Sequence, residues 1–132
     1  MSKIWNQISE EEWKKRLSAE QFRILRKKGT EAPFSGKYND FYEKGIYSCA
    51  GCGQDLFSSS TKYDAGTGWP SFWEAISEDN IERIPDYSLG MKRIEVICSR
   101  CGGHLGHVFD DGPAPTGEHF CIDSISLNFN PE

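Results

Sequence analysis

The chain lacks an excess of positive charge, a long apolar run and a leader-like beginning, and each absence excludes a class of function. Net charge is −5 and the sequence pI about 5.2, so the basic face that non-specific nucleic-acid binding needs is missing. The one dense basic stretch, Lys14-Lys15-Arg16 with Arg23, Arg26, Lys27 and Lys28, lies among acidic residues and reads as a solvated helix face. Nothing approaches the ~18 consecutive apolar residues of a membrane span, and Met1 to Gln7 hold no apolar stretch of the ~7–15 residues a secretory leader uses. A cytoplasmic protein is expected, without membrane or nucleic-acid partners and with its thiols reduced. Repeats, low-complexity tracts and linkers are absent too. The 132 residues fit one domain.

What is present points to turns and strands. Thirteen glycines and six prolines argue against a helix bundle. A hydrophobic fraction of 37% makes a core modest enough to gain from a metal staple. Ser9 with Glu12 is a capping box for a short helix through about Leu17, and Ser18-Ala19-Glu20-Gln21 opens a second that Gly29 stops. Beyond Ala32-Pro33, short apolar runs alternate with Gly, Pro, Asn and Asp. Ile46 to Ser48, Arg93 to Ile97 and the alternating run from Phe120 to Phe129 are expected strands. The chain is thus α+β, mainly β: a helical segment over about 1–30, then a β core over about 31–132.

Five cysteines is an odd count, a poor basis for a disulfide framework. Cys49-Ala50-Gly51-Cys52 and Cys98-Ser99-Arg100-Cys101 are two C-x-x-C turns on either side of residues 53–97. Each turn can offer two thiolates to one face of a tetrahedral ion, and two turns complete a four-cysteine zinc site. Four thiolates leave no open position, so one structural Zn2+ is expected. A redox disulfide pair or plain buried thiols are the competing readings.

Subtracting four ligands leaves Cys121. A lone cysteine in a strand is commonly inert core, but here His119 and Asp123 lie two residues away, on the same face of an extended chain. A nearby imidazolium favours thiolate. All three histidines fall between His104 and His119, with Asp110 and Asp111 among them. This cluster fits either a second metal site or a thiol active site. The glycines around His104 and His107 suggest a loop. Gly66-Thr67-Gly68-Trp69-Pro70-Ser71-Phe72-Trp73 is either core packing at a turn or, beside a reactive thiol, the wall of an apolar pocket.

Together these segments, with Gly29 to Tyr38 and Gly103 to Phe109, resemble the methionine sulfoxide reductase B family, in order and from about Ile8 onward. The resemblance implies two antiparallel sheets in a tent-like fold, with zinc clamping one end, remote from the catalytic cysteine. It implies thiol-dependent reduction of the R epimer of methionine sulfoxide, in proteins or as the free amino acid. One reductase handles each sulfoxide epimer. Cys121 is then the nucleophile, His104, His107, Asp111 and His119 its polar partners, and Trp69, Phe72, Phe109 and Asp123 the substrate contacts. Oxidised proteins or free methionine sulfoxide are the implied substrates, with thioredoxin or another thiol as reductant and a monomer as the working unit.

Three positions depart from the family's common pattern: His119 replaces Arg, Asp123 replaces Asn, and Thr67 stands where some members carry a resolving cysteine. A carboxylate near a thiolate raises its pKa unless paired, so His119 and Asp123 are expected to compensate for one another. The acid at the sulfoxide oxygen is expected to be His104 or His107. Zinc holds the other four thiols, so an external thiol is expected to reduce the Cys121 sulfenic acid. Two other functions fit the same residues: a zinc-stabilised binding module gripping a partner through Trp69 and Phe72, and a hydrolase with a metal on His104, His107 and Asp111.

Overall fold

The computed structural model describes Trp5, residues 7–88, Gly90 and residues 92–132. The first four residues, counted above in the helical segment, lie outside this range. Two short helices lie within residues 7–88, α1 (Glu10–Arg16) and α2 (Ala19–Leu25). Ser18 and Gln21 form the reciprocal capping box that the sequence announces, whereas at α1 only half of the expected box is present: Ser9 Oγ accepts from Glu12 N–H, and the Glu12 carboxylate turns to Arg16 instead. Trp13, Ile24 and Leu25 anchor the helices to the core, all nearly inaccessible.

Among the described residues nine strands follow: β1 (Gly45–Cys49), β2 (Asp55–Ser58), β3 (Lys62–Tyr63), β4 (Ser71–Phe72), β5 (Ile81–Asp86), β6 (Arg93–Cys98), β7 (His104–Phe109), β8 (His119–Ile122) and β9 (Leu127–Pro131). They form two antiparallel sheets, ordered β2-β1-β9 and β3-β4-β8-β7-β6-β5. Pro85 sits on the edge strand β5, where a missing N–H costs least. The sheets face one another across an aromatic layer. Phe57 stacks on Phe72 at 4.5 Å, Tyr47 meets Phe72 edge-on at 5.2 Å, and Phe120 lies 5.5 Å from Phe57. Pairs at such spacings add about 0.5–1.5 kcal/mol beyond area burial.

Two sequence expectations change. Phe120 to Phe129 is not one strand. Asp123–Ser126 forms a turn, closed by Ser126 N–H to the Asp123 carbonyl, and the chain crosses there from the larger sheet to the smaller. Buried partners hold that corner: Ser124 Oγ accepts from Tyr38 N–H, Ser126 Oγ donates to the His104 carbonyl, and Glu31 accepts from Ile125 N–H. Alternation alone could not show it, because serines on a buried face look like a solvent face. The His104–Phe109 segment, expected as a loop, is a strand. Its glycine is a packing requirement: a Cβ on Gly106 would collide with the backbone carbonyl of Cys121 on the neighbouring strand.

Candidate active site

β8 lies between β4 and β7, and its pleat decides what faces where. Phe120 and Ile122 point into the core with no exposure; His119 and Cys121, and Asp123 just beyond, line a cavity of about 330 Å³ on the opposite face. Across the ladder Cys121 pairs with Ser71 on one side and His107 on the other. His104 and His107 are three apart, so a regular strand would send them to opposite faces. The β6–β7 register steps from Val96↔Gly106 to Ile97↔His104, leaving Leu105 as an extra residue. That bulge brings both rings to the cavity, 5.7 Å apart.

Each imidazole has a carboxylate of its own. His104 Nδ1 lies 2.7 Å from Glu95 Oε2, both wholly buried, and burial favours the neutral ring. His107 Nε2 lies 2.8 Å from Asp86 Oδ2, and this contact, with Ser88 N–H, holds the Asp86 carboxyl well below the usual range. His119 Nδ1 meets Asp111 Oδ1 at 3.1 Å and Nε2 meets Ser71 Oγ at 3.1 Å. Ser71 Oγ itself donates to the Trp69 carbonyl, which leaves it to accept from His119 Nε2. His119 therefore pairs with Asp111, and the expected compensation with Asp123 is not what the structure builds.

Asp123 has other neighbours. Oδ1 accepts from Glu31 N–H at 3.4 Å, and Oδ2 lies 3.7 Å from His104 Nε2. Burial, then the nearby Glu31, pushes its carboxyl up to about 7. Burial also pushes the Cys121 thiol up to about 11; a hydrogen bond with Thr67 lowers it, while Asp123, Glu31 and Asp111 raise it. Near neutrality the thiol keeps its proton.

The apolar wall is Trp69, whose indole N–H donates to the Glu31 carbonyl at 3.0 Å and whose backbone N–H donates to Thr67 Oγ1. Gly68, at φ +97, lets the loop press against Pro33 and Phe34. Phe109 lines the cavity and is partly exposed. Phe72 does not line it. Its ring is the fully buried centre of the aromatic layer, because neighbouring residues on β4 face opposite sides.

The four remaining cysteines meet at one end of the two sheets. Cys49 and Cys52 flank the β1–β2 turn, Cys98 and Cys101 the β6–β7 turn, and their sulfurs lie within 4.8 Å of one another. Sγ separations of 3.7 Å (Cys49–Cys101) and 3.5 Å (Cys52–Cys98) compare with about 3.8 Å expected between vertices of a Zn–S tetrahedron with ~2.3 Å bonds. Gly51 N–H points at Cys49 Sγ at 3.3 Å. The residues fit a structural metal. Among the described residues this is the one such group. His104, His107 and Asp111 do not converge on a common point, since each is turned to a different partner.

The SelR domain model matches residues 17–131. Curated relatives named "Peptide methionine sulfoxide reductase MsrB" include one from Methanosarcina barkeri, 63% identical over 124 residues, spanning 94% of this chain and 87% of that protein. One from Methanosarcina mazei is 61% identical, spanning 94% and 89%, and one from Leptospira interrogans 55%, spanning 94% and 95%. The chain belongs to this family. In this SelR-domain protein the structure gathers Cys121, His104, His107, His119, Asp111, Asp123, Trp69 and Phe109 around one cavity. Sequence reasoning missed the carboxylates behind the histidines, Glu95 and Asp86, and also Glu31. The only signal was a charge inside the apolar run Ile94-Glu95-Val96-Ile97, which strand alternation would have assigned to solvent.

Proposed function

We propose that this chain reduces the R epimer of methionine sulfoxide, in proteins and as the free amino acid, with Cys121 as nucleophile. The observation that carries the reading is a single thiol facing a cavity with a tryptophan wall and polar groups opposite, while the other four cysteines stand at metal-binding distance elsewhere. The sulfoxide's methyl group lies against Trp69, and Phe109 closes the outer side. Cys121 sulfur attacks the electrophilic sulfur, the oxygen takes up a proton, methionine leaves and Cys121 becomes a sulfenic acid. Two equivalents of an external thiol, thioredoxin or a small one, then restore the thiol, release water and leave as disulfide. Thr67, at the thiol, offers no second sulfur. The four-cysteine site holds Zn2+, which supplies structure and no chemistry. The working form is a cytoplasmic monomer.

Turnover of the separated R and S epimers, wild type against Cys121→Ser, tests this. Reduction of R alone, lost with the sulfur, is expected; equal use of both epimers, or turnover surviving Cys121→Ser, overturns it. A binding module would keep its activity in Cys121→Ser.

A further inference from the structure

A methionine sulfoxide brings more than its sulfur into the cavity. Its main chain carries an acyl oxygen, which is a carboxylate in the free amino acid and a peptide carbonyl in a protein. The strand pairing shows which group stands where that oxygen arrives. Cys121 shares a row of the larger sheet with His107 and Glu95, and the next row outward on the same face holds Arg93, Phe109 and His119. Two strands and one row separate the Cys121 and Arg93 backbones, about 12 Å. An arginine reaching inward and a methionine side chain reaching outward span that gap together.

Among the described residues lining the cavity, Arg93 alone carries a permanent positive charge. Its side chain is only 22% exposed. A guanidinium brings five N–H donors in a planar fork. Among the described residues one of the five has an acceptor, Asp86 Oδ2, and that contact is long at 3.4 Å. Asp86 is committed elsewhere, with Oδ2 at 2.8 Å from His107 Nε2 and Oδ1 accepting from Ser88 N–H at 2.9 Å. Arg93 Nε is shut off from solvent and has no partner. A cation mostly out of water with its donors unspent is costly to hold until something supplies acceptors. The rest of that row offers an incoming oxygen nothing. Phe109 is apolar, and both His119 nitrogens are held, by Asp111 and Ser71.

We propose that Arg93 is a specificity-determining residue that receives the acyl oxygen of the substrate's main chain and so sets the sulfoxide group in front of Cys121. This rests on the reductase reading of the site. The ligand chemistry is the same for both sources of substrate, an oxygen of carbonyl type one methionine side chain away from the reacting sulfur. A carboxylate meets the fork with two oxygens and a full charge, a peptide carbonyl with one oxygen and a partial charge. Loss of Arg93 therefore costs a carboxylate substrate more. The bond forms on binding and is kept through the reaction, so it acts on KM and leaves kcat nearly alone. A lysine in its place keeps the charge and loses the fork.

The test compares wild type, Arg93→Met and Arg93→Lys in steady-state turnover with excess dithiothreitol and three R-sulfoxides. N-acetyl-methionine sulfoxide offers a carboxylate, its N-methylamide a peptide carbonyl, and methyl n-propyl sulfoxide no main chain at all. Arg93→Met should raise KM about tenfold for the amide and up to about a hundredfold for the acid, the range expected of hydrogen bonds to a charged group. The wild-type preference for both over methyl n-propyl sulfoxide should collapse with it. Arg93→Lys should recover part of the loss for the acid and little for the amide. A loss confined to the acid would name the free carboxylate as the ligand, and one confined to the amide the peptide carbonyl. An equal loss on all three sulfoxides would overturn the proposal, because Arg93 would then act by holding Asp86 behind His107; unchanged KM for acid and amide alike would overturn it too. Circular dichroism checks folding, and should Arg93→Met fail to fold, Arg93→Lys carries the same comparison. Binding of the acid and the amide to a Cys121→Ser background, read by tryptophan fluorescence, should show the same ranking. A chain that binds them through Arg93 and turns over none would defeat the reductase reading and not this one.

Discussion

The protonation of Cys121 can be tested without substrate. The structure pushes this thiol to about 11 from the ordinary 9.0, with burial the largest cause. Two units leave about one hundredth of the ordinary thiolate near neutrality. Absolute alkylation rates mix this factor with access, but the shape of the pH profile does not. Iodoacetamide labelling of the peptide carrying Cys121, quantified by mass spectrometry, should rise about tenfold per unit from about pH 7 to 10 without levelling. The same peptide in denatured protein should bend near 9.0. Thr67→Ala removes a hydrogen bond that favours the thiolate and should shift the folded profile upward; Asp123→Asn should shift it downward. A folded profile that bends at or below the denatured one would refute the reasoning, because burial would then not govern this sulfur.

Three further outcomes are expected. Chelating the metal should unfold the protein, structural zinc being worth about 10–16 kcal/mol in small domains, with one zinc per chain released and four thiols newly titratable by a colorimetric reagent; an unchanged melting temperature would discredit the clamp. Asp123 keeps its proton to about 7 when folded and loses it near 3.8 when unfolded. The folded state thus binds more protons between those values, and stability falls as pH rises through them, by up to roughly 4 kcal/mol. Asp123→Asn should therefore melt above wild type, by a margin that widens from about pH 4 to pH 8 and is read by calorimetry. Phe72→Ala should cost about 3–5 kcal/mol in urea unfolding and leave KM of the folded fraction unchanged, whereas Trp69→Ala should raise KM; the reverse pattern would restore Phe72 to the pocket.

The two C-x-x-C turns, the helix caps and the odd cysteine were legible because each is written in adjacent residues: a C-x-x-C turn or a Ser three residues before Glu or Gln carries its own geometry. The clustering of His104, His107, Asp111, His119 and Cys121 was legible for the same reason, all lying within one stretch of chain. Pairings across the fold were not. His119 faces Asp111 and Ser71, and Asp123 faces Glu31 and His104, because β8 runs between β4 and β7 and the Asp123–Ser126 corner folds toward the loop after α2.

By itself, then, the sequence determined the local chemistry: which thiols can grip a metal, which one is left, and which residue types accompany it. Only the tertiary structure decided who faces whom. The Leu105 bulge put two histidines on one face, and antiparallel alternation sent Phe72 to the core. Burial took Glu31, Glu95 and Asp123, surface charges by their residue type, out of solvent. The physical reason is that protonation depends on solvent and on the nearest charge, and both are set by chain segments far apart in sequence.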